Sequence, residues 1–480
     1  MVKQGGEGIE GDPASAPMLK ETKLQKSPTY AILQQFTIAS RRGDDITFFI
    51  TLGIFLFVLA AIGFRWMHET SAALLGAVAV WLVHYIGGTF FPSLEIIDFD
   101  EAMAFVDWNV IFLILGMMIF MAMFGETGIF RWLAFRAFRL ARGNAWLLGL
   151  ILIVLTGITS SFLNNVTALL LLVPLSIQIA ETVGVHPFTY VIPEVLAANI
   201  GGASTIIGDP PSTIVGLHLG LGFFEYAVEA APVVVVSLLA LVGVSALLYR
   251  RELAGAKSQF SPALVTRLEA GAQITDVPLL RKAGIVGLIT LFLFFAGELF
   301  HLPPSVGAMT GATLLIVWVR PDMPRMMREV DWTTLFFFIG IFILVGGVEK
   351  AGVIDWLAQA IAGLAGDSLS LATVLMVWIS GAVSGVVDNI PYTIAALPIA
   401  DLLSTTIPAA KESPVLYWAL IFGADFGGNM TYMGGAGNIV AVGLLAQAGY
   451  RMGFGRFMRD GVVVMVITLL VATVWLLIRY

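Results

Sequence analysis

Residues 106–134 read VDWNVIFLILGMMIFMAMFGETGIFRWLA, and residues 330–358 read VDWTTLFFFIGIFILVGGVEKAGVIDWLA. Val106, Asp107, Trp108, Phe112, Gly116, Ile119, Gly128, Trp132, Leu133 and Ala134 all recur 224 positions later, and the same offset carries Asn165 onto Asn389 and Pro174 onto Pro398. A chain that contains itself twice is expected to fold as two related bundles. When the repeat lies in apolar sequence, the pattern is that of secondary transporters, which bind substrate between the copies near mid-bilayer.

Composition supports a membrane protein. The chain is 58% hydrophobic and 12% charged, with a mean hydropathy of +0.91. A soluble protein could not hide that much apolar surface. The sequence has no cysteine, which excludes disulfides, thiolate metal sites and cysteine nucleophiles. There is no P-loop, Gly-x-Ser-x-Gly or His-Glu-x-x-His motif, so a transporter rather than an enzyme is expected. No cofactor or metal site is expected, since His186, His218 and His301 lack ligand spacing.

Apolar segments fall at about 46–64, 72–91, 109–125, 145–180, 190–216 and 231–249, then again at about 283–299, 305–319, 332–348, 369–407, 415–445 and 461–478. The expected domains are therefore a polar tail at 1–45, a first repeat at 46–249, a linker at 250–282 and a second repeat at 283–480. Residues 1–44 have no apolar core of signal-peptide type. Loop charges set the orientation. Arg131, Arg136, Arg139 and Arg142 follow the first VDW segment, whereas the matching stretch of the second half carries Asp355 and Asp367. Arg320, Arg325 and Arg328 precede the second VDW, whereas the first is preceded by an acidic run; Arg451, Arg456 and Arg459 match a stretch without Lys or Arg at 217–230. Three swaps of sign predict that the halves insert in opposite senses, with the linker cytoplasmic. The tail holds Lys20, Lys23, Lys26, Arg41 and Arg42, but also six acidic residues, and its side stays open.

Segments 145–180 and 369–407 are long for one span and polar in the middle. An Asp exposed to lipid there would cost on the order of 2–3 kcal/mol, so each is expected to form a re-entrant hairpin whose tip lies in a wet cavity. Segments 190–216 and 415–445 contain NIGGASTIIGDPPST and FGGNMTYMGGAGN, which match at an offset of 226 through the paired glycines, Thr205 and Thr431, and Gly208 and Gly434. Gly pairs and the following Pro-Pro break these helices in mid-span. Helix ends of this kind bind ions and polar solutes. The expected fold is all-α integral membrane, with about five spans per inverted repeat, one re-entrant hairpin and one broken helix in each.

The candidate substrate set is Asn164, Asn165 and Thr167 at the first tip, Asn389 and Thr393 at the second, and Gly202, Ser204, Thr205, Asn429 and Thr431 at the breaks. Amides and hydroxyls there suit a small polar solute. The alternative is that they cap helices or bond to the preceding turn. Asp388, Asp209 and Asp425 are the candidate proton or cation carriers, because an intramembrane carboxylate is a functional candidate by default. Asp388 ranks first because its counterpart, Asn164, cannot ionise. Met117, Met118, Met121 and Met123 read as packing rather than a soft-metal path, and the repeated tryptophans as interfacial belt residues.

The runs SSFLNNVTALLLLVP, EVLAANIGGASTIIGDPPS, SGVVDNIPYTIAALP and GADFGGNMTYMGGAGN resemble the ion transporter superfamily. Within it they resemble the arsenical pump membrane protein and melanosomal P-protein group, with sodium/proton antiporters as near relatives. The resemblance spans about 46–480. It implies an elevator-type carrier with scaffold and transport domains, and a homodimer through the scaffold. Members often carry Asn after Gly-Asp-Pro-Pro, where this chain has Ser212; the other half keeps Asn438. The expected function is secondary active export of arsenite or antimonite in exchange for protons. Sodium/proton antiport is the alternative, and a carboxylate or other anion carrier ranks third because the set has no Lys or Arg. The expected partners are membrane lipid, a small inorganic substrate and protons, without nucleic acid; a cytoplasmic ATPase subunit would be a further partner, although no motif marks it. The expected location is a bacterial inner (plasma) membrane.

Overall fold

The computed structural model describes residues 45–142, 144–255, 273–366 and 368–480. The tail at 1–44, Gly143, residues 256–272 of the linker, and Asp367 lie outside the described residues. The long helices are α1 (Asp45–Gly63), α2 (Glu69–Leu82), α3 (Trp108–Glu126), α4 (Ile129–Leu140), α5 (Ala145–Ser160), α6 (Asn165–Val183), α7 (Phe188–Gly202), α8 (Pro210–His218) and α9 (Phe223–Leu248). They continue as α10 (Val277–Phe300), α11 (Pro304–Val319), α12 (Trp332–Lys350), α13 (Val353–Ala365), α14 (Leu369–Ser384), α15 (Asn389–Thr406), α16 (Val415–Gly427), α17 (Ala436–Gln447) and α18 (Phe454–Arg479). Among the described residues there is no strand. Among those residues, eight helices are long and apolar enough to cross a membrane: α1, α2 with its continuation to Phe90, α3, α6, α9, α10, α12 and α18. Their outer faces carry large exposed apolar side chains such as Leu239, Leu288 and Phe292, as a lipid-facing surface requires.

The repeated VDW motif has a local physical role. Asp107 caps α3 by accepting from the Asn109 and Val110 amides, and Asp331 caps α12 by accepting from the Thr334 amide at 3.1 Å. Trp108 Nε1 donates to the Met103 carbonyl and Trp332 Nε1 to the Met327 carbonyl, again 224 positions on. Gly128 and Gly352 follow α3 and α12 with φ of 78° and 76°, the left-handed region that only glycine enters freely. Asp331→Ala is expected to lower stability by about 1 kcal/mol through loss of the cap, measured as a lower unfolding midpoint of the detergent-solubilised protein.

The apolar runs at 145–180 and 369–407 are each divided. α5 ends at Ser160 and α6 begins at Asn165; α14 ends at Ser384 and α15 begins at Asn389. The runs at 190–216 and 415–445 divide into α7 and α8, and into α16 and α17. Packing joins matching helices across the chain. Gly116 of α3 lies against the backbone of Ala308 on α11, and Gly340 of α12 lies against Ala73 on α2. Likewise α6 packs on α17, and α15 on α8. Each hairpin helix therefore rests on the second piece of the broken helix from the other half of the sequence.

Candidate functional site

The two helix breaks meet in the buried interior. Their geometry begins with glycine. A Cβ on Gly201 would stand 2.2 Å from the Gly157 carbonyl oxygen, and one on Gly427 would stand 2.5 Å from that of Gly381. These contacts press α7 onto α5 and α16 onto α14, and bring the chain ends of the broken helices beside the tips. A Cβ on Gly202 would meet Asn165 Oδ1 and Asp209 Cβ, each at 2.9 Å. Gly202 is therefore a spacer that lets the polar centre close.

Two polar clusters follow, and three residues of each correspond. In the first, Asn165 Nδ2 donates to Asn199 Oδ1 at 3.2 Å, and Asn199 Nδ2 donates to Asn438 Oδ1 and Asn429 Oδ1, both at 3.0 Å. In the second, Asn389 Nδ2 donates to Asp425 Oδ1 at 3.5 Å and to Asp209 Oδ2 at 2.9 Å, and Ser212 Oγ donates to Asp425 Oδ2 at 3.0 Å. Asn165 corresponds to Asn389, Asn199 to Asp425, and Asn438 to Ser212. One cluster is built from neutral amides; the other is acidic. Asp209 lies between the two: it accepts from Asn389, which also donates to Asp425, and it meets Asn165 across Gly202. Asn389 Nδ2 thus holds two buried carboxylates on one amide, and two ionised carboxylates so placed would repel.

Burial makes these groups costly unless paired. Asn199, Asp209, Asn389, Asp425, Asn429 and Asn438 are all buried, and among the described residues no lysine or arginine is. Asn429 Nδ2 has no hydrogen-bond partner, which leaves one amide donor available to a solute.

The structure separates the sequence candidates into two groups. Asn165, Asn389, Asn429, Asp209 and Asp425 meet in the centre, with Gly202 against them. Ser204, Thr205, Thr393 and Thr431 hold the backbone instead. Ser204 Oγ donates to the Gly201 carbonyl at 2.6 Å, Thr431 Oγ1 to that of Gly385 at 2.7 Å, and Thr393 Oγ1 to that of Asn389 at 2.7 Å. Thr205 Oγ1 donates to the Ser161 carbonyl. The Thr205 and Thr431 hydroxyls tie each break to the neighbouring tip. Asn164 and Asp388 are N-caps: Asn164 accepts from the Val166 and Thr167 amides, and Asp388 Oδ1 from the Ile390 amide at 3.0 Å. Asp388 Oδ2 has no partner and makes no bond to Asp209 or Asp425. Asn164, Thr167 and Asp209 line an open cleft whose opposite wall includes Met117, Met118 and Met121. Asn199, Ser212 and Asn438 are network members that the candidate set omits. Extending the offset of 226 beyond the glycines would have placed Asn199 opposite Asp425.

Among the described residues, an all-helical fold with eight candidate spans encloses a buried polar centre, the architecture of an integral membrane protein. Residues 54–423 match the model of the CitMHS family, described as citrate transporter, and the chain belongs to that family. An uncharacterised transporter of Mycobacterium tuberculosis is 34% identical over 431 residues, covering 90% of this chain and 98% of the relative. A transporter of Synechocystis is 31% identical, covering 88% and 96%. The human P protein is 30% identical over 90% of this chain, which spans 60% of that protein. The crystal structure of the YdaH transporter of Alcanivorax borkumensis is similar in fold, with a TM-score of 0.53 and 13% identity over 85% of this chain and 98% of that one.

Proposed function

We propose that this chain is a secondary carrier for a small carboxylate, moved together with cations that bind between Asp209 and Asp425. One observation carries the reading: a single buried network is divided into an amide side and an acid side, with no buried lysine or arginine among the described residues. A carboxylate reaching a site that already holds acidic groups needs cations to cancel its charge, and the acid side is placed to take them. The amide side, with the unpartnered Asn429 Nδ2, offers donors to the carboxylate oxygens. The family model adds weight to a carboxylate and moves it ahead of the metalloid that the sequence alone favours.

Arsenite or antimonite export against protons is the second reading. It is favoured by the same lack of buried cationic groups, because a neutral trihydroxy species needs amides and hydroxyls only. A cytoplasmic ATPase partner belongs to that reading alone. Sodium/proton antiport would use the acid side without the amides.

The architecture proposed with this function is two inverted repeats, 46–249 and 283–480, joined by the linker 250–282, with 1–45 as a tail. The matched caps at Asp107 and Asp331, the exchanged packing of α3 on α11 and α12 on α2, and the reversed loop charges support it. α2, α3, α11 and α12 would form the scaffold, and the hairpins with the broken helices would move against it as an elevator. A homodimer through the scaffold and a bacterial inner membrane complete the proposal.

Proteoliposomes with an imposed pH or sodium gradient test it. Saturable citrate uptake that requires the gradient and rises with added cations is expected. Gradient-driven uptake of arsenite but not citrate would transfer the assignment to the metalloid. Collapse of a pH gradient by sodium alone would transfer it to antiport. Unsaturable conductance of every solute would overturn the carrier reading altogether.

A further inference from the structure

A crevice on the outer face lies apart from the polar centre. α5, α7 and the last turns of α9 splay around a crevice of about 350 Å³, open on one side. Its walls include Leu150 and Ile153 of α5, Tyr190 and Pro193 of α7, and Val242 and Ala246 of α9. The polar groups at its edge are engaged elsewhere. The Tyr190 hydroxyl donates to the Ala145 carbonyl at 3.1 Å, the Tyr249 hydroxyl to Asp460 at 2.8 Å, and the Thr189 hydroxyl to Glu252. What remains is mostly hydrocarbon. The mouth is edged by Trp146, Leu147 and Leu150, all more than a third exposed, and in a bilayer it opens on acyl chains. An empty crevice would forfeit dispersion contacts along its whole lining, so a chain from the bilayer is the filling that its chemistry selects.

Charge identifies the other end of the occupant. Tyr249 and Leu253 close one end of the crevice, and between them stand the exposed Arg250 and Arg251. The same apolar cluster that holds Tyr249 and Leu253 holds Ala141, next to the exposed Arg142. The nearby carboxylate, Glu252, is paired with Arg456 at 3.7 Å and takes the Thr189 hydroxyl. That end therefore presents arginines to the headgroup region, where each basic side chain attracts anionic lipid.

We infer that this crevice binds an anionic phospholipid, with an acyl chain between α5 and α9 and the phosphate at Arg250, Arg251 and Arg142. The site is independent of the transported solute.

Native mass spectrometry of the full chain, purified in mild detergent and titrated with phosphatidylglycerol or phosphatidylcholine, tests the site. Preferential retention of phosphatidylglycerol is expected, with occupancy falling about fivefold for each arginine removed in Arg250→Ser and Arg251→Ser. Ala246→Trp, which fills the crevice, should abolish retention of both lipids while gradient-driven solute uptake persists. Should that variant fail to fold, the exposed arginine pair decides alone. Equal retention of the two lipids overturns the inference. So does unchanged occupancy in the arginine variants, or release of the bound lipid by inorganic phosphate alone. A dimer lost in Ala246→Trp with no lipid bound in the parent protein would assign the crevice to a second copy and likewise overturn it.

Discussion

Asp425→Asn is expected to give a folded carrier that exchanges preloaded solute across the membrane but no longer accumulates it down an imposed gradient. The expectation follows from the matching clusters. Residue 425 corresponds to Asn199, which already sits in an all-amide network with 3.0 Å and 3.2 Å hydrogen bonds. An asparagine oxygen at 425 can still accept from Asn389, and its Nδ2 can donate to the Ser212 hydroxyl, which turns to accept. The loss of stability should therefore stay near about 1 kcal/mol, the net value of one buried hydrogen bond. What disappears is the second carboxyl beside Asp209, and with it the shared place for a proton or cation. Gradient-driven uptake should fall to the level of liposomes without protein, while counterflow of labelled solute continues. Asp388→Asn provides the contrast. Asp388 acts through Oδ1 as an N-cap, and Asn164 performs the same task with an amide, so accumulation should survive that substitution. If Asp425→Asn accumulates solute normally and Asp388→Asn does not, the coupling role passes to Asp388.

The sequence shows which helices are alike far better than which helices touch. The 224-residue offset locates the caps at Asp107 and Asp331, the left-handed glycines at Gly128 and Gly352, and the interruptions before Asn165 and Asn389, because each is a local backbone requirement. The exchange of α11 onto α3 and of α2 onto α12 is not local. Gly116 and Gly340 are legible as equivalent glycines, but not as partners of Ala308 and Ala73. The same limit applies to the centre. Asn165, Asn389, Asn429, Asp209 and Asp425 stand out as polar groups in apolar spans, and they do converge. Ser204, Thr205, Thr393 and Thr431 stand out equally, yet their hydroxyls are taken by carbonyls. Sequence cannot tell a hydroxyl that faces a solute from one that closes a broken turn. Asp388 attracts notice because it differs from Asn164, but an N-cap accepts either residue at little cost. Asn199 escapes notice because it precedes the conspicuous glycines, and only pairing it with Asp425 reveals its place. The solute itself is not written in the amides, which bind carboxylate oxygens and neutral hydroxyls alike.

Gly201→Ala should be among the most damaging single-methyl additions in the chain. The added Cβ would stand 2.2 Å from the Gly157 carbonyl oxygen and 2.6 Å from its Cα. Both obstacles are backbone, so no side chain can rotate away. α7 and α5 must separate, and overpacking of this kind costs about 3 kcal/mol or more. The separation also moves Asn199, two residues earlier on the same helix, away from Asn165. Transport should therefore fall with stability. Gly53→Ala on α1 is the control: nothing lies within 4 Å of its added Cβ, and replacing glycine in a helix should stabilise it by about 0.5–1 kcal/mol. Thermal unfolding of the purified protein, followed by tryptophan fluorescence, should show opposite shifts for the two variants. Equal midpoints would refute the close crossing. Gly427→Ala extends the test to the other half, since its Cβ would stand 2.5 Å from the Gly381 carbonyl oxygen. Comparable losses at 201 and 427 would mean that the two halves hold their broken helices by the same contact. A loss at one alone would mean that only one cluster depends on it, and the proposed equivalence of the amide and acid sides would have to be given up.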